Sequence, residues 1–157
     1  MASTSIQPAA AATKTILTPV TTLKGHEGFI ESMSYFPDGK RMVSGSVDNS
    51  VRRWDLQEGK EIEKVRDVCQ WQLGAVAVSR DGQWVVTGGQ NLKACEVETG
   101  IVKTFEGHSG VITSIDISAD STLLASASDD RTARIWSLDT GTLVAGPFEC
   151  YEQVHSV

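Results

Sequence analysis

The stretch Val43–Leu56, VSGSVDNSVRRWDL, decides the fold because it returns almost intact as ASASDDRTARIWSL at Ala125–Leu138. The same offset of 82 residues separates Trp54 from Trp136. Half of that offset points to a third copy at Thr87–Val97, TGGQNLKACEV. A period of about 40 residues indicates a repeat architecture, in which stacked units bury a continuous core that no unit could bury alone.

Composition limits the class of protein. The 157 residues are 40% hydrophobic and 22% charged, which is typical of a soluble globular chain. The net charge is −6, and no string of Lys and Arg is longer than a pair such as Arg52-Arg53. Because nucleic-acid binders carry a basic patch, we expect no nucleic-acid partner, and a basic or amphipathic protein partner is favoured instead.

Cysteine usage and hydropathy favour an intracellular protein, cytoplasmic or nuclear. Cys69, Cys95 and Cys150 are odd in number and widely spaced, which indicates neither a disulfide framework nor a zinc site. No apolar run approaches the roughly 18 residues of a membrane-spanning helix, so we expect no membrane partner. Residues 1–24 lack acidic residues, as transit peptides do, but they also lack Arg, so a plain leader is favoured.

Turn signals divide each unit into short strands. In the first unit, Phe29–Phe36 is predicted as a strand ending in the turn Pro37-Asp38-Gly39, where proline presets φ and glycine accepts a positive φ. Further strands are predicted at Arg41–Ser46, Ser50–Leu56 and Lys60–Lys64. Four antiparallel strands at this spacing predict an all-β unit.

The chain is expected to hold three such units and partial elements at both ends. The segments are a disordered Ala/Ser/Thr-rich leader at 1–15, a strand of an incomplete unit at 16–23, repeats at 24–63, 64–105 and 106–146, and the start of a fourth repeat at 147–157. The second repeat is degenerate, since Cys95 stands where the others have Trp and Asp67 lies near their His position. Pro19 predicts a sheet edge for the first strand, because a missing N–H is tolerated there.

Together, Gly25-His26, the Ser-x-Ser of the second strand, Asp48 and Trp54-Asp55 resemble the WD-repeat β-propeller family. The resemblance covers about 16–157 and is specific, since the set occurs twice at one offset. It implies an incomplete propeller of about three and a half repeats, with three four-stranded antiparallel blades and a strand at each end. One departure is Trp136-Ser137, which replaces Trp-Asp in the third unit.

In that family a His, a Ser, an Asp and a Trp form one hydrogen-bonded chain within a blade. The resemblance assigns this structural tetrad to two blades: His26, Ser44, Asp48 and Trp54 in the first, and His108, Ser126, Asp130 and Trp136 in the third. Such a chain is physically reasonable, since a buried carboxylate without partners is costly. Ser46 and Ser128 are alternatives for the hydroxyl, because strand alternation places them on the same face.

The same Ser, His and Asp also suggest a nucleophilic triad, and a hydrolase is therefore the remote alternative. Against it, the set occurs twice, each copy is joined to a Trp, and neither has a strand-to-helix elbow with a Gly-rich oxyanion loop. We therefore expect no catalytic residues. We also expect no metal and no cofactor, since no local cluster of Cys, His and carboxylates supports binding.

Three blades fall short of a ring, because propellers close with about four to eight. The sequence therefore predicts a truncated product, a fragment of a longer propeller, or a unit that assembles with copies of itself. An isolated monomer would expose apolar faces and unpaired strands, so self-association through open blade edges is expected.

The resemblance implies a non-catalytic scaffold for protein–protein interaction, which binds proteins or peptides at loops and strand ends. The predicted binding face comprises Phe29, Glu31, Val47, Gln72, Gly74, Gln90, Val111, Thr113 and Asp129. An aromatic side chain beside acidic ones suits a basic peptide with an apolar anchor. The alternatives are ordinary loop residues without a partner, or a regulatory or ligand-sensing segment of a larger multidomain signalling protein.

Overall fold

A computed structural model describes residues 21–66 and 73–150, with side chains throughout except at 63–66. These residues contain β-strands and no helix. In chain order the strands are β1 Ile30–Tyr35, β2 Arg41–Ser46, β3 Ser50–Asp55, β4 Lys60–Arg66, β5 Ala75–Val78, β6 Trp84–Gly88, β7 Leu92–Glu96, β8 Val102–Phe105, β9 Ile112–Ile117, β10 Leu123–Ser128, β11 Thr132–Ser137 and β12 Leu143–Glu149.

The strands form three sheets, each a simple meander in chain order. The orders are β1-β2-β3-β4, β5-β6-β7-β8 and β9-β10-β11-β12, with antiparallel pairing throughout. We refer to these sheets as blades 1, 2 and 3. The all-β architecture of three four-stranded antiparallel blades expected from the sequence is confirmed.

The turns between the first two strands of blades 1 and 2 have the chemistry that their residues predict. The Asp38 carboxylate accepts hydrogen bonds from the backbone N–H groups of Lys40 and Arg41 at 2.8 and 3.1 Å. Gly39 and its counterpart Gly82 have φ angles of 64° and 73°, a region that glycine enters without steric cost. The side-chain bond and the permissive residue together set the tight turn.

Two predicted repeat boundaries fall inside strands. β4 continues past residue 63 to Arg66, which pairs with Ser50, and β12 continues past residue 146 to Glu149, which pairs with Thr132. In both blades the outer strand thus reaches the first residue of its neighbour. Pro147 is tolerated in β12 because that strand is at a sheet edge.

The predicted end segments are covered only in part. The leader at 1–15 lies outside the described residues, as do 16–20 of the predicted first strand and 151–157 of the predicted fourth repeat. Residues 21–23 belong to no strand, and 147–149 belong to β12. The described part of the chain therefore contains three blades and the segment at 21–29 that enters the first.

The core consists of two apolar layers, one between each pair of neighbouring blades. The first layer contains Phe36, Val43 and Val51 of blade 1 with Leu73 and Val76 from the second repeat. The second layer contains Val86, Leu92, Ala94 and Phe105 of blade 2 with Ile112, Ile117, Leu124, Trp136 and Leu138 of the third repeat. Each blade thus covers one face of the next, as expected for stacked repeats.

Hydrogen bonds add to this packing at the inner strands. The Ser32 and Ser34 hydroxyl oxygens of β1 accept the backbone N–H groups of Val76 and Val78 in β5, at 3.1 and 3.2 Å. Gly45 allows the same close approach, because a Cβ there would lie 1.8 Å from a methyl carbon of Leu73. The blades are therefore joined by both apolar and polar contacts.

Cross-strand pairing determines which residues are equivalent among the blades. The matching trios are Tyr35, Met42 and Trp54 in blade 1, Val78, Val85 and Cys95 in blade 2, and Ile117, Leu124 and Trp136 in blade 3. We call the face that carries these trios the network face, and the other the opposite face. Because the β6–β7 turn is two residues shorter, Thr87 and not Val85 is the blade 2 equivalent of Ser44.

Candidate functional site

The four residues assigned to blade 1 by the sequence form one connected network. His26 precedes β1, Ser44 lies in β2, Asp48 in the β2–β3 turn and Trp54 in β3. His26 Nδ1 lies 3.0 Å from Asp48 Oδ2, and its Nε2 lies 2.8 Å from Ser44 Oγ. The indole N–H of Trp54 donates to the same Ser44 oxygen at 2.8 Å. The chain of contacts therefore runs from the turn to the third strand.

Blade 3 repeats this geometry with similar distances. His108 Nδ1 lies 2.8 Å from Asp130 Oδ2, and its Nε2 lies 2.8 Å from Ser126 Oγ. The indole N–H of Trp136 donates to Ser126 Oγ at 2.8 Å. The structure thus brings together all eight residues of the two predicted tetrads.

The first serine of each Ser-x-Ser pair joins the network, and the second holds the turn. Ser46 Oγ accepts the backbone N–H of Asp48 at 3.1 Å, and Ser128 Oγ accepts that of Asp130 at the same distance. The alternation of strand side chains left both serines open as network members. Their distances distinguish them, since within each Ser-x-Ser pair only the first serine, Ser44 or Ser126, contacts a ring nitrogen.

Both turn carboxylates are strongly stabilised as anions. Burial alone would raise the pKa of Asp48, but hydrogen bonds from the Ser50 hydroxyl, the Glu27 backbone N–H and His26 outweigh it and hold that pKa well below 3.8. The pKa of Asp130 is lowered in the same way, against burial, by Thr132, His108 and Ser109. Each Asp is therefore ionised at neutral pH.

The histidine of blade 3 favours its neutral form. Burial is the largest influence and lowers the pKa of His108 below 6.5, while Asp130 acts in the opposite direction. A neutral ring with its proton on Nδ1 donates to Asp130 and leaves Nε2 to accept the Ser126 hydroxyl. The Ser126 oxygen then accepts from Trp136, so every polar group of the network has a partner.

This arrangement does not suit nucleophilic catalysis. Ser44 and Ser126 are 1% and 0% exposed, so both oxygens are buried. Each oxygen already accepts an indole N–H, which lowers its electron density. A catalytic serine must instead lie beside an accessible oxyanion site. The network is thus suited to fixing the turn against the sheet.

Two kinds of hydrogen-bond donor to the turn carboxylates were not predicted from the sequence: a side-chain hydroxyl and a backbone N–H group. The Ser50 hydroxyl donates to Asp48 Oδ1 at 2.6 Å, and Thr132 donates to Asp130 Oδ1 at 2.7 Å. The backbone N–H groups of Glu27 and Ser109 donate to the other carboxylate oxygens. A signal was present for the hydroxyls, since Ser50 and Thr132 are related by the 82-residue offset.

Blade 2 keeps one hydroxyl of the tetrad and lacks the indole. Thr87 stands at the serine position and Cys95 at the tryptophan position, opposite Val85. The Thr87 residue is 4% exposed, and its hydroxyl has no hydrogen-bond partner among the described residues. Asp67, which the sequence places near the histidine position, lies outside the described residues. Among the described residues, blade 2 therefore leaves this buried hydroxyl uncompensated.

The predicted binding residues lie at one end of the three sheets, where inner strands begin. The Val47 N–H donates to the Phe29 carbonyl at 3.0 Å, and the Asp129 N–H donates to the Val111 carbonyl at 2.9 Å. In blade 2 the Gly74 N–H donates to Gly88 at 2.8 Å. In blades 1 and 3 the bond joins the residue before the first strand to the turn after the second strand. In blade 2 it joins the residue before the first strand to the end of the second strand. Gln72 lies outside the described residues.

Exposure differs among these residues. Phe29 has 84% of its surface exposed, the largest value among the exposed large hydrophobic residues. Glu31, Gln90 and Asp129 are also exposed. The remaining members, Val47, Gly74, Val111 and Thr113, are half-buried. The accessible part of this end is thus one aromatic ring with carboxylates and an amide.

Charge at this end is mainly negative. Glu27, in the segment before β1, adds a carboxylate to those of Glu31 and Asp129, and Arg131 supplies a cation beside Asp129. All four side chains are exposed. A ligand with positive charge would gain attraction here, although salt screens charges at the surface.

Two other kinds of site were sought among residues 21–66 and 73–150. No group of three or more His, Cys, Asp or Glu side chains in these ranges is placed to hold a metal ion. Nor do these ranges contain a helix with the length and apolar character to cross a membrane.

Comparison with known proteins identifies the repeats. Residues 17–55 and 100–137 match a family model described as WD domain, G-beta repeat. The first segment contains the complete network of blade 1, and the second contains that of blade 3. The two matches thus coincide with the two blades that keep a tetrad.

Curated relatives extend the likeness over most of this chain. It is 34% identical over 128 residues to an uncharacterized WD repeat-containing protein of Synechocystis, covering 80% of this chain and 36% of that protein. It is 27% identical over 129 residues to the guanine nucleotide-binding protein subunit beta of Arabidopsis thaliana, covering 75% and 34%. The chain therefore spans about a third of the length of these relatives.

Solved structures agree on the fold. The structure of U3-55K and the crystal structure of RRP9 WD40 repeats each give a TM-score of 0.81 at 21% identity. Each match covers 85% of this chain and 43% of the other. At this identity the likeness concerns architecture alone, and it is that of a partial propeller.

Proposed function

Because this chain belongs to the WD-repeat β-propeller family, we propose that it is a non-catalytic scaffold for protein–protein interaction. In this proposal the three blades are rigid supports, and the ends of their inner strands bind other proteins or peptides. Function then resides in exposed side chains at that end, since a fold alone does not specify a partner. Nucleic acid and membranes are not partners in this proposal.

The observation that carries the proposal is the exposure of Phe29 beside carboxylates. Phe29 is 84% exposed, and aromatic residues are enriched at protein–protein interfaces. Glu27 and Glu31 flank it in the chain. A basic peptide with one apolar residue would place that residue on Phe29 and its charges near the carboxylates.

The buried networks support the non-catalytic part. Their serine side chains are buried, and their carboxylates are fully engaged by hydrogen bonds. We assign the tetrads the role of locking each turn to its sheet, so that loops at the binding end keep a fixed position. An intracellular location, cytoplasmic or nuclear, belongs to the same proposal and rests on the cysteine usage.

A second candidate is a regulatory or ligand-sensing segment within a larger signalling protein. It is favoured by one observation, that the chain spans about a third of curated relatives such as a guanine nucleotide-binding protein subunit beta. In that case the three blades are part of a longer propeller. The predicted binding residues at the starts of the inner strands would then lie beside loops from further blades.

Peptide capture tests the scaffold proposal. The chain in solution is titrated into short fluorescently labelled peptides in which Lys and Arg surround one Leu, Phe or Trp, and binding is measured by fluorescence anisotropy. We expect Phe29→Ala to weaken binding by about tenfold or more, as truncation of an aromatic anchor does. Added salt should weaken it further.

The matched control is Ile101→Ala. Ile101 is 56% exposed but lies before β8, beside the turn at the other end of blade 2. It should leave peptide binding unchanged. Equal binding by wild type and Phe29→Ala would remove Phe29 from the site, and equal binding of basic and acidic peptides would remove the carboxylates from it.

A further inference from the structure

A cleft lies between blades 2 and 3, at the end of the sheets where the inner strands begin. Its volume is about 200 Å³, and residues 90–92, 104–108 and 112 line it. These residues come from the β6–β7 turn, the end of β8 and the segment that leads into β9. Both walls of this cleft, which we call the blade 2–3 cleft, therefore belong to neighbouring blades within the described residues.

The degenerate repeat accounts for the space. In blade 1 the second and third strands pair at Gly45 and Val51, whereas the equivalent pair in blade 2 is Gly88 and Leu92. The turn of blade 2 is thus two residues shorter and has fewer atoms to place beside the entry to blade 3. The cleft is therefore a consequence of the same shortening that moves Thr87 to the serine position.

The size of the blade 2–3 cleft suits one side chain. Pockets that enclose a drug-sized molecule measure about 300–1,000 Å³. An engineered cavity of about 150 Å³ is enough to hold a benzene ring. At about 200 Å³, the cleft is too small for a drug-sized ligand and large enough for the side chain of a single residue.

The exposed lining residues offer polar groups that the protein itself does not use. Gln90, Asn91, Thr104 and Glu106 are all exposed. Among the described residues, none of these four side chains has a hydrogen-bond or ion-pair partner. Two amide oxygens, a hydroxyl and a carboxylate are hydrogen-bond acceptors, and Glu106 adds a negative charge. The exposed part of the cleft therefore suits a cationic donor.

The buried lining residues are apolar. Leu92, Phe105 and Ile112 are 1%, 4% and 1% exposed. His108 lies on the blade 3 wall, and burial lowers its pKa, so it adds no positive charge at neutral pH. Long basic side chains place an aliphatic stem on apolar surface and keep the charged group near water. A lysine or arginine matches this combination of apolar and acidic surface.

We propose that the blade 2–3 cleft holds one lysine or arginine side chain of a bound protein or peptide. The cationic group lies beside the Glu106 carboxylate and donates hydrogen bonds to the amide oxygens of Gln90 and Asn91. This inference rests on the proposed function, in which a basic peptide binds at the same end of the sheets. It adds a second contact point, in blades 2 and 3, to the one that Phe29 provides in blade 1.

An acidic side chain fits the cleft less well. A carboxylate placed there would meet Glu106, and juxtaposed like charges are unfavourable. The cation on this side of blade 3 is Arg134, which lies 2.5 Å from the position that a Cβ on Gly107 would take. Arg134 is not among the residues that line the cleft, so it does not reverse this preference.

A double-mutant cycle tests the contact. Each Lys or Arg of a labelled basic peptide is replaced in turn by norleucine, which keeps an aliphatic stem and removes the charge. Fluorescence anisotropy then gives the affinity of each peptide for wild type and Glu106→Gln. We expect Glu106→Gln to weaken the parent peptide by about two- to fivefold, as loss of an exposed ion pair does. It should leave the affinity of one replaced peptide unchanged, because that peptide has already lost the paired charge.

The matched control is Glu98→Gln. Glu98 is also exposed, but it lies in the turn between β7 and β8, at the other end of blade 2. This variant removes the same charge from the chain and should bind every peptide like wild type. Equal weakening by Glu98→Gln and Glu106→Gln would assign the effect to net charge and overturn the proposal. Effects of Glu106→Gln that are the same for every peptide would overturn it as well.

A single-residue probe separates this inference from the proposed function if no basic peptide binds. N-acetyl-lysine N-methylamide is titrated into ¹⁵N-labelled chain, and the side-chain amide signals of Gln90 and Asn91 are followed by NMR. We expect both signals to shift in wild type and to shift less in Glu106→Gln. Such shifts without peptide capture would support the cleft and refute the peptide site at Phe29. No shift, or larger shifts with N-acetyl-glutamate N-methylamide, would overturn the proposal.

Discussion

Blades 1 and 3 contain the same hydrogen-bonded network in different surroundings. The ring-to-serine distance is 2.8 Å in both, and both carboxylates have a lowered pKa. Yet Ile117 in blade 3 is 8% exposed, whereas Tyr35 at the same position in blade 1 is 62% exposed. The network therefore forms within one blade, and burial of the face around it comes from a neighbour.

The largest expected effect tests this difference in cover. Ile117→Ala should lower the free energy of unfolding by about 2–5 kcal/mol, because it leaves a cavity between blades 2 and 3. Tyr35→Ala should change it by no more than about 0.5 kcal/mol, since the side chain is exposed. Urea unfolding at low protein concentration measures both. Similar losses in the two variants would mean that blade 1 is covered as well as blade 3.

The next test concerns what the two blades share. Asp130→Asn and Asp48→Asn should each lower the free energy of unfolding by about 2 kcal/mol, because hydrogen bonds to a buried anion are lost. The losses should be close to equal, since the networks have the same partners. Thermal unfolding compares them. A large loss in one blade only would show that the stability contributed by the network depends on whether a neighbouring blade covers it.

Blade 2 offers a substitution expected to stabilise. Thr87→Val keeps the shape of a buried side chain and removes a hydroxyl that has no partner among the described residues. We expect a gain of about 1 kcal/mol in the free energy of unfolding. Ser126→Val, the matched change in a blade with a complete network, should be destabilising. If Thr87→Val is also destabilising, the threonine hydroxyl contributes to stability, and its lack of a partner among the described residues does not explain its energetics.

The smallest effect is a dependence on pH. The pKa of His108 is lowered below 6.5 in the folded state, so the unfolded chain takes up the proton first as pH falls. Stability should therefore begin to fall below pH 6.5. The lowered pKa values of Asp48 and Asp130 add a further loss below 3.8. His108→Gln should flatten the first part of a melting-temperature profile. Equal slopes in variant and wild type would assign the effect to another group.

Much of this fold was predictable because the repeat leaves several independent signals at one offset. The limits of β2, Arg41–Ser46, were predicted to the residue, since turn residues mark both ends. The pairing of Trp54 with a serine was implied by family resemblance. The choice of Ser44 over Ser46 was open, because period-two alternation places both on one face and only distances separate them.

Other features depend on contacts that sequence spacing does not encode. β12 extends to Glu149 because β11 offers a partner along its whole length, and the register shift between Ala133 and Ile135 accommodates it. The status of Thr87 as the serine equivalent depends on a turn shortened by two residues. Which face of blade 1 is open follows only from knowing that each blade covers the next on its network face.

Hydrogen–deuterium exchange of β2 and β10 amides tests most directly the claim that a neighbouring blade protects the network face. β2 should exchange faster than β10, because no blade among the described residues covers the network face of blade 1. Equal protection of β2 and β10 would contradict the account.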